Sequence, residues 1–454
     1  MSNRRIVPTF AQYAPLKILI AYLSLTLLIA VAGPIEYYRF PIGKTVLFVT
    51  SVMALMVFGY SYGVVSKQPL ASKRNIGNES FVRNFFDLSL ALAFISLLIS
   101  ILEAAISGQL NTDFSSIGDT YSNSYAGYER NTGNYSVSFI LYSLSLPFSF
   151  ISFILGFYFF FQLSVARRIL VVALTISSLL FYVVGSGKQK QLGDILIFLI
   201  AVAAIKYGVR RRPIQLKWIV GSVAFGLAGL MAFAALLGQR YAALGVDAGN
   251  INNRVMDRLF FDTSHPIFLI FGQEYGLNIS MFLSYLSQGY YGLGLALETD
   301  WNWTHFMGFS YSISVLSNRL LGLDWEWPNT LLYQVGLTTG WGESKWHTVF
   351  THFATDFTFP GTALLFGLFA YVYARAWISA VRFENPFSIL MFALLTQGAF
   401  FIPANNQLLH TPGALFTTIL VSGLYIGMSR RFNIPDAERL NRPIWRRTSA
   451  ARRP

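Results

Sequence analysis

Apolar runs about 20 residues long recur along this chain, and they constrain its fold before any single residue does. A helix of that length spans about 30 Å, the hydrocarbon thickness of a bilayer. Such runs lie at roughly 16–33, 45–65, 86–107, 139–163, 169–185, 192–208, 218–237, 349–374, 387–403 and 413–429. They predict an all-α fold: a polytopic transmembrane helical bundle of about ten spans. Composition agrees, because 54% of residues are apolar and only 12% are charged, against about 25% charged in a soluble domain. No small-residue cleavage site is evident in the first run, from Leu16 to Gly33, which is expected to stay as the first span. No internal repeat and no separate soluble domain is visible, so residues 1–454 read as one integral membrane domain. The chain has no Cys, which excludes disulfides and thiolate metal sites.

A net charge of +13 is explained by topology better than by a nucleic-acid partner. Ten spans put both termini on one side. With that side cytoplasmic, 24 of the 34 Lys and Arg residues fall in inner segments, as the positive-inside rule requires. The tail at 430–454 contributes eight of those arginines. The remaining ten cations stand on the outer side, against the bias.

Two outer loops are large. Residues 109–137 are rich in Asn, Ser, Thr, Tyr and Gly, which suits either a solvated loop or a sugar-contacting surface. Residues 238–348 are too apolar for disorder and predict helices that lie on the membrane or re-enter it. Within them, 280–297 is open between a span and a re-entrant segment.

Cations placed against the bias need a partner. Lys188 and Lys190, in "GSGKQKQLGD", stand at the outer mouth between the fifth and sixth predicted spans. Arg240 follows the seventh span in "GQRYAALG", and Arg254 and Arg258 share one helical face at i, i+4. Together they suit a phosphate or pyrophosphate, to which Arg offers paired charge-assisted hydrogen bonds. Headgroup anchoring or local ion pairs are the alternative, and Lys190 in particular can pair with Asp194, four residues on. A second polar group is "GWGESKWHTVFTHFATDFTFPG", residues 340–361. Its Glu343, His347, His352 and Asp356 are candidates for a general base or for groups that orient an acceptor, and His410 can join them. No HExxH pattern is present, and a five-residue step from His347 to His352 suits two ligands on one helix face poorly, so no metal is expected. No Walker A or GxGxxG segment is present either, and the cytoplasmic loops are short, so no nucleotide or other cofactor is expected. Tyr290, Tyr291, Trp301, Trp303, Trp325 and Trp327 can stack on sugar rings or anchor at the interface.

The segments "GSGKQKQ", "GQRYAALG", "DRLFFDTSHP", "YLSQGYYGLGLALE" and "DFTFPGTALLFGLF" together resemble the Wzy-type polymerases of O-antigen or oligosaccharide repeat units, over about residues 30–430. Lys188 stands where such polymerases often carry an arginine. The resemblance implies a glycosyltransferase of the bacterial inner membrane whose active site faces the periplasm. Its donor and acceptor would be oligosaccharide units on undecaprenyl pyrophosphate, with no nucleotide sugar. A chain-length regulator protein would be a partner, and the product would be a surface polysaccharide such as that of lipopolysaccharide. Lys188, Lys190, Arg240, Arg254 and Arg258 would then hold the pyrophosphate, Glu343, His347, His352 or Asp356 would act on the acceptor hydroxyl, and Tyr290, Tyr291 and Trp325 would contact sugar. An O-antigen ligase-like enzyme and a flippase are the alternatives.

Overall fold

The computed structural model describes residues 9–66, 79–106, 110, 137–185, 190–210, 238, 258–343 and 345–429. In chain order the elements are α1 (Ala14–Ala32), β1 (Ile35–Tyr37), α2 (Ile42–Val65), α3 (Glu79–Ile106), α4 (Val137–Phe159), α5 (Val165–Leu179), α6 (Lys190–Arg210), β2 (Leu259–Phe261), α7 (Pro266–Ala296), α8 (Tyr311–Leu321), α9 (Leu331–Thr339), α10 (Val349–Phe383), α11 (Pro386–Phe400) and α12 (Pro412–Met428). A π-helical turn, Leu180–Gly185, extends α5. Seven of these helices are long and apolar enough to cross a membrane: α1 to α6 and α10. The apolar α11 and α12 are shorter. Nine of the ten predicted runs coincide with helices, and the run at 218–237 lies outside the described residues.

The helices start and stop where local chemistry directs. Proline stands in the first turn of α1, α7, α11 and α12, where its missing N–H is no loss and its fixed φ already suits a helix. The Asn385 side chain caps α11 by accepting from the Phe387 and Ser388 amides at 3.0 and 3.1 Å. Ser310 and Thr330 cap α8 and α9 in the same way. Both of these helices end on a left-handed glycine, Gly322 at φ 65° and Gly340 at φ 75°.

Both sides of a spanning helix are apolar. In α1, Leu16, Leu19, Leu23 and Leu27 are buried, while Ile18, Leu25 and Leu28 are exposed by 69%, 56% and 60%. Such a helix satisfies its own backbone and exposes hydrocarbon outward, as a lipid surround requires. Inside the bundle α2 packs along α10 through glycines. A Cβ on Gly59 would stand 1.9 Å from the Gly367 carbonyl oxygen, and one on Gly63 2.8 Å from that of Tyr371. This is the close backbone approach that small residues permit between membrane helices.

Two departures from straight spans position the site. The first is a break in α10 at Thr358, whose φ of 60° and ψ of 167° are not helical. Phe350 and Phe366 pack with ring centroids 4.8 Å apart, although 16 residues of continuous helix would separate them by about 24 Å. Residues 349–357 therefore fold back against the long arm, and the chain reverses inside the bundle.

The second departure is α7. Its start is tied to the ribbon of β1 and β2, through the His265 amide to Asp262 and the Asp262 amide to Pro34. Glu298, just past its end, forms a 2.8 Å ion pair with Lys44 in the first turn of α2. Both attachments lie at the end of the bundle where α1 stops and α2 starts. Along the way Tyr290 reaches Thr26 Oγ1 at 3.0 Å, the Gly289 carbonyl accepts from the Thr348 amide, and the Tyr291 hydroxyl donates to the Tyr38 carbonyl. A break at Gly272, with φ 76° and ψ 172°, separates the first turns of α7 from the rest, and the stretch 280–297 packs against Thr26 of α1, Tyr38 and Thr348 as part of a cap. With α8, α9 and their loops it covers that end of the bundle.

Candidate functional site

The break in α10 sets three imidazoles near one another. His352 lies on the folded-back arm, 3% exposed, and its ring packs edge to face on that of His410 with centroids 5.5 Å apart. His410 sits in the loop between α11 and α12. That loop is strapped to α8: the Ser312 hydroxyl and amide both donate to the His410 carbonyl, at 2.7 and 3.2 Å, and Ser310 Oγ donates to the Leu409 carbonyl. Asn406 Nδ2 donates to the Phe309 carbonyl at 2.8 Å. Tyr311 and Trp327 complete the wall, each with its ring within 6.0 Å of His410. The Trp327 indole N–H donates to the Glu343 carboxylate, so Glu343 reaches the same cluster from the other side of α9.

His347 stands one residue before the arm's N-cap. Its Nε2 lies 3.2 Å from both the Trp341 and Gly342 carbonyls, which makes Nε2 the protonated nitrogen. Burial pushes its pKa down to about 4 and does the same to His410. Both are neutral imidazoles near pH 7, able to accept a proton and unable to act as fixed cations. Nδ1 has no hydrogen-bond partner in His347, His352 or His410. Both amide atoms of Gln288 and Asn405 Oδ1 are likewise buried without one. Gln288 precedes Gly289, whose Cα faces the Pro403 carbonyl and the Thr348 amide. Buried polar groups are nearly always paired, so these atoms, near the start of the folded-back arm, are where a polar partner from outside the chain would be accommodated.

Asp356 has a different place. Its carboxylate accepts from Thr304 Oγ1 and from the Phe306, Gly308 and Phe309 amides, at 2.6 to 3.0 Å. The Trp301 and Trp303 indoles donate to the Thr355 and Asp356 carbonyls. The carboxylate is thus saturated as the clasp of loop 301–309, with its proton-accepting positions occupied. The loop it clasps is strained, since His305 and Phe306 both adopt positive φ, 52° and 63°.

Of the five predicted pyrophosphate cations, Arg258 and Lys190 are described. The Arg258 guanidinium lies 5.5 Å from the centre of the Tyr38 ring, and the Tyr38 carbonyl accepts from the Tyr291 hydroxyl. Tyr291 packs on Trp341 at 4.9 Å, which connects Arg258 to the His347 side of the cluster. Lys190 pairs with Asp194, the local pairing open to it from sequence, and Asp194 is fixed in turn by Gln397 Nε2 at 2.8 Å. Lys188, Arg240 and Arg254 lie outside the described residues.

Tyr290 and Tyr291, expected to contact sugar, lie in the packed interior. Both are 0% exposed, with hydroxyls engaged by Thr26 and Tyr38, because the cap buries this part of α7 on both sides. No ring face is open to a ligand. Trp325 is 39% exposed and keeps an open surface. Sequence reasoning missed Tyr311, Thr304 and Gln288, which carry no motif and reach the cluster only through the fold. Among the described residues no group of three or more His, Asp or Glu side chains is arranged to hold a metal ion. No family model, curated protein or solved structure matches the chain.

Proposed function

We propose that this chain is a lipid-linked-donor glycosyltransferase that polymerises oligosaccharide repeat units carried on undecaprenyl pyrophosphate, at the periplasmic face of the bacterial inner membrane. One observation carries the reading: the reversal at Thr358 sets the buried His352 against His410 beneath the cap of an apolar bundle. A base is useful in that setting only to a substrate that reaches it through lipid or through the cap. The reaction asks for two things. A group must accept the proton of the attacking sugar hydroxyl, and cations must stabilise the departing pyrophosphate. His352 and His410 supply the first. Arg258, with Lys188, Arg240 and Arg254, supplies the second. The anomeric C–O bond to the pyrophosphate breaks as the new glycosidic bond forms, the hydroxyl proton passes to the imidazole, and the lipid pyrophosphate departs with one more negative charge than it carried in the donor.

The test is the length of surface polysaccharide in a deletion strain complemented with His352→Gln or Arg258→Ala. The deletion is expected to leave caps of a single repeat unit, and both variants to remain short at normal membrane abundance. Long chains in the deletion strain would end the reading. Loss of even the single unit would favour a ligase or a flippase.

A further inference from the structure

On the outer side of the cap, beyond the wall of the imidazole cluster, several aromatic rings are exposed. Trp303 is 51% exposed, yet its indole is fixed by the hydrogen bond from Nε1 to the Asp356 carbonyl at 3.2 Å. His305 packs on its ring at 4.6 Å and Phe306, also 51% exposed, packs edge-on at 5.4 Å. His305 Nδ1 lies 3.3 Å from Glu326 Oε1. That contact joins the clasped loop to the strand of chain holding Trp325, which is 39% exposed and rests on Tyr311. Glu326 is itself held by Asn329 Nδ2 at 2.8 Å. The result is a ledge of exposed, immobilised aromatic rings with carboxylates beside them.

Charge decides what such a ledge can hold. From Glu298 to Trp327 the chain carries four carboxylates and one cation, Arg319; Glu298 is paired with Lys44, while Asp324 and Glu326, the latter against His305, flank Trp325 in the chain. This acidic stretch belongs to a chain of net charge +13. A ledge that binds anionic headgroups or pyrophosphate would need the opposite sign. Aromatic rings flanked by carboxylates suit a neutral, hydroxyl-rich ring: the apolar C–H face lies on the indole, and the carboxylates accept from hydroxyls. The clasp explains why the rings are already in place. Asp356 holds two consecutive residues at positive φ, a strained loop that persists only because it is over-determined, so little ordering remains to be done on binding.

We infer that the Trp303–Trp325 ledge is a binding site for neutral sugar residues. Resting on the polymerase reading, it is the place where the glycan of a lipid-linked unit is held away from its pyrophosphate. The test uses full-length protein in nanodiscs on a printed array of lipid-free neutral and acidic bacterial glycans. Wild-type protein is expected to be retained on neutral glycans. Trp303→Leu and Trp325→Ala are each expected to weaken retention by about tenfold, the loss of one stacked ring. Trp303→Phe, which keeps an aromatic face, is expected to retain most of it and guards against a folding artefact. Brominated lipids are expected to leave the Trp303 emission, taken as wild type minus Trp303→Phe, unquenched. Absence of wild-type retention, equal retention by a Trp303→Leu/Trp325→Ala double variant, or quenching by brominated lipid would overturn the site; quenching would make the ledge a membrane anchor. Retention by a protein whose deletion leaves chain length intact would sink the polymerase reading and keep the ledge. A short-chain deletion phenotype without retention would do the reverse.

Discussion

At the scale of single residues, the environment of a side chain separates groups that the sequence treats alike. Glu343, His347, His352 and Asp356 are equivalent candidates in a 14-residue stretch of sequence. In the fold, Asp356 is a clasp with four donors, and His347 and His352 each keep a buried Nδ1 without a hydrogen-bond partner in the chain. Asp356→Asn replaces an acceptor oxygen with an NH2 that faces backbone N–H groups. It is expected to destabilise the cap by roughly 3 kcal/mol, since hydrogen bonds to a charged group are lost and buried donors are left unmet. Proteolysis within 301–310 should accelerate; unchanged protection would show that the clasp is not what holds the loop. His347 and His410 give a pH prediction. Their folded pKa of about 4 lies below the ordinary value of about 6.5, so the unfolded chain binds more protons between those values. Stability is therefore full above pH 6.5 and falls as the pH drops toward 4, by at most about 1.4 kcal/mol per pH unit for each imidazole. Thermal unfolding across that window should show the slope, and His347→Gln should flatten it. An identical slope in the variant would contradict the neutral assignment.

At the scale of elements, the site is positioned by where helices stop being straight and where they touch. Thr358 and Pro360 break α10, and the sequence marks the place with "TFPG". A proline inside an apolar run signals a kink, but only packing shows that the chain doubles back. The reversal is held by aromatic contacts, with Phe48 wedged against both Phe350 and Phe359 at 5.7 and 5.3 Å. The α2–α10 contact depends on Gly59, and Gly59→Leu would drive a side chain into the Gly367 carbonyl. A loss on the order of 3 kcal/mol is expected, from overpacking that neither backbone can relieve. Gly423→Leu, where a Cβ meets nothing within 4 Å, should be close to neutral. Melting temperatures of the two variants in detergent settle the point, and equal effects would show that the glycine contact is not tight.

At the scale of the whole molecule, the spans are legible because a bilayer imposes one length and one composition on every helix that crosses it. That is why the predicted runs and the helices coincide from α1 to α6 and from α10 to α12. The cap was less legible. From its sequence the stretch 280–297 is open between a span and a re-entrant segment, and nothing local to it states that Tyr291 will reach Tyr38 or that Glu298 will pair with Lys44. The same limit applies to the site. His352 and His410 are 58 positions apart in sequence, and their contact follows from a reversal in one helix and a strapped loop after another. Tyr290 and Tyr291 look like sugar-binding aromatics in sequence and are core residues in the fold, because the cap gives α7 a buried side facing the spans.

The proposed activity requires an energised lipid-linked donor and nothing else, and that requirement is the most direct point of test. Purified protein in liposomes would be supplied with the lipid-pyrophosphate-linked repeat unit alone, with no nucleotide sugar, and products resolved by size. The account predicts glycans of two or more units, release of one lipid pyrophosphate for each bond formed, and loss of both with His352→Gln. Persistence of the single unit in the presence of active-folded protein, or elongation that begins only when a nucleotide sugar is added, would contradict it.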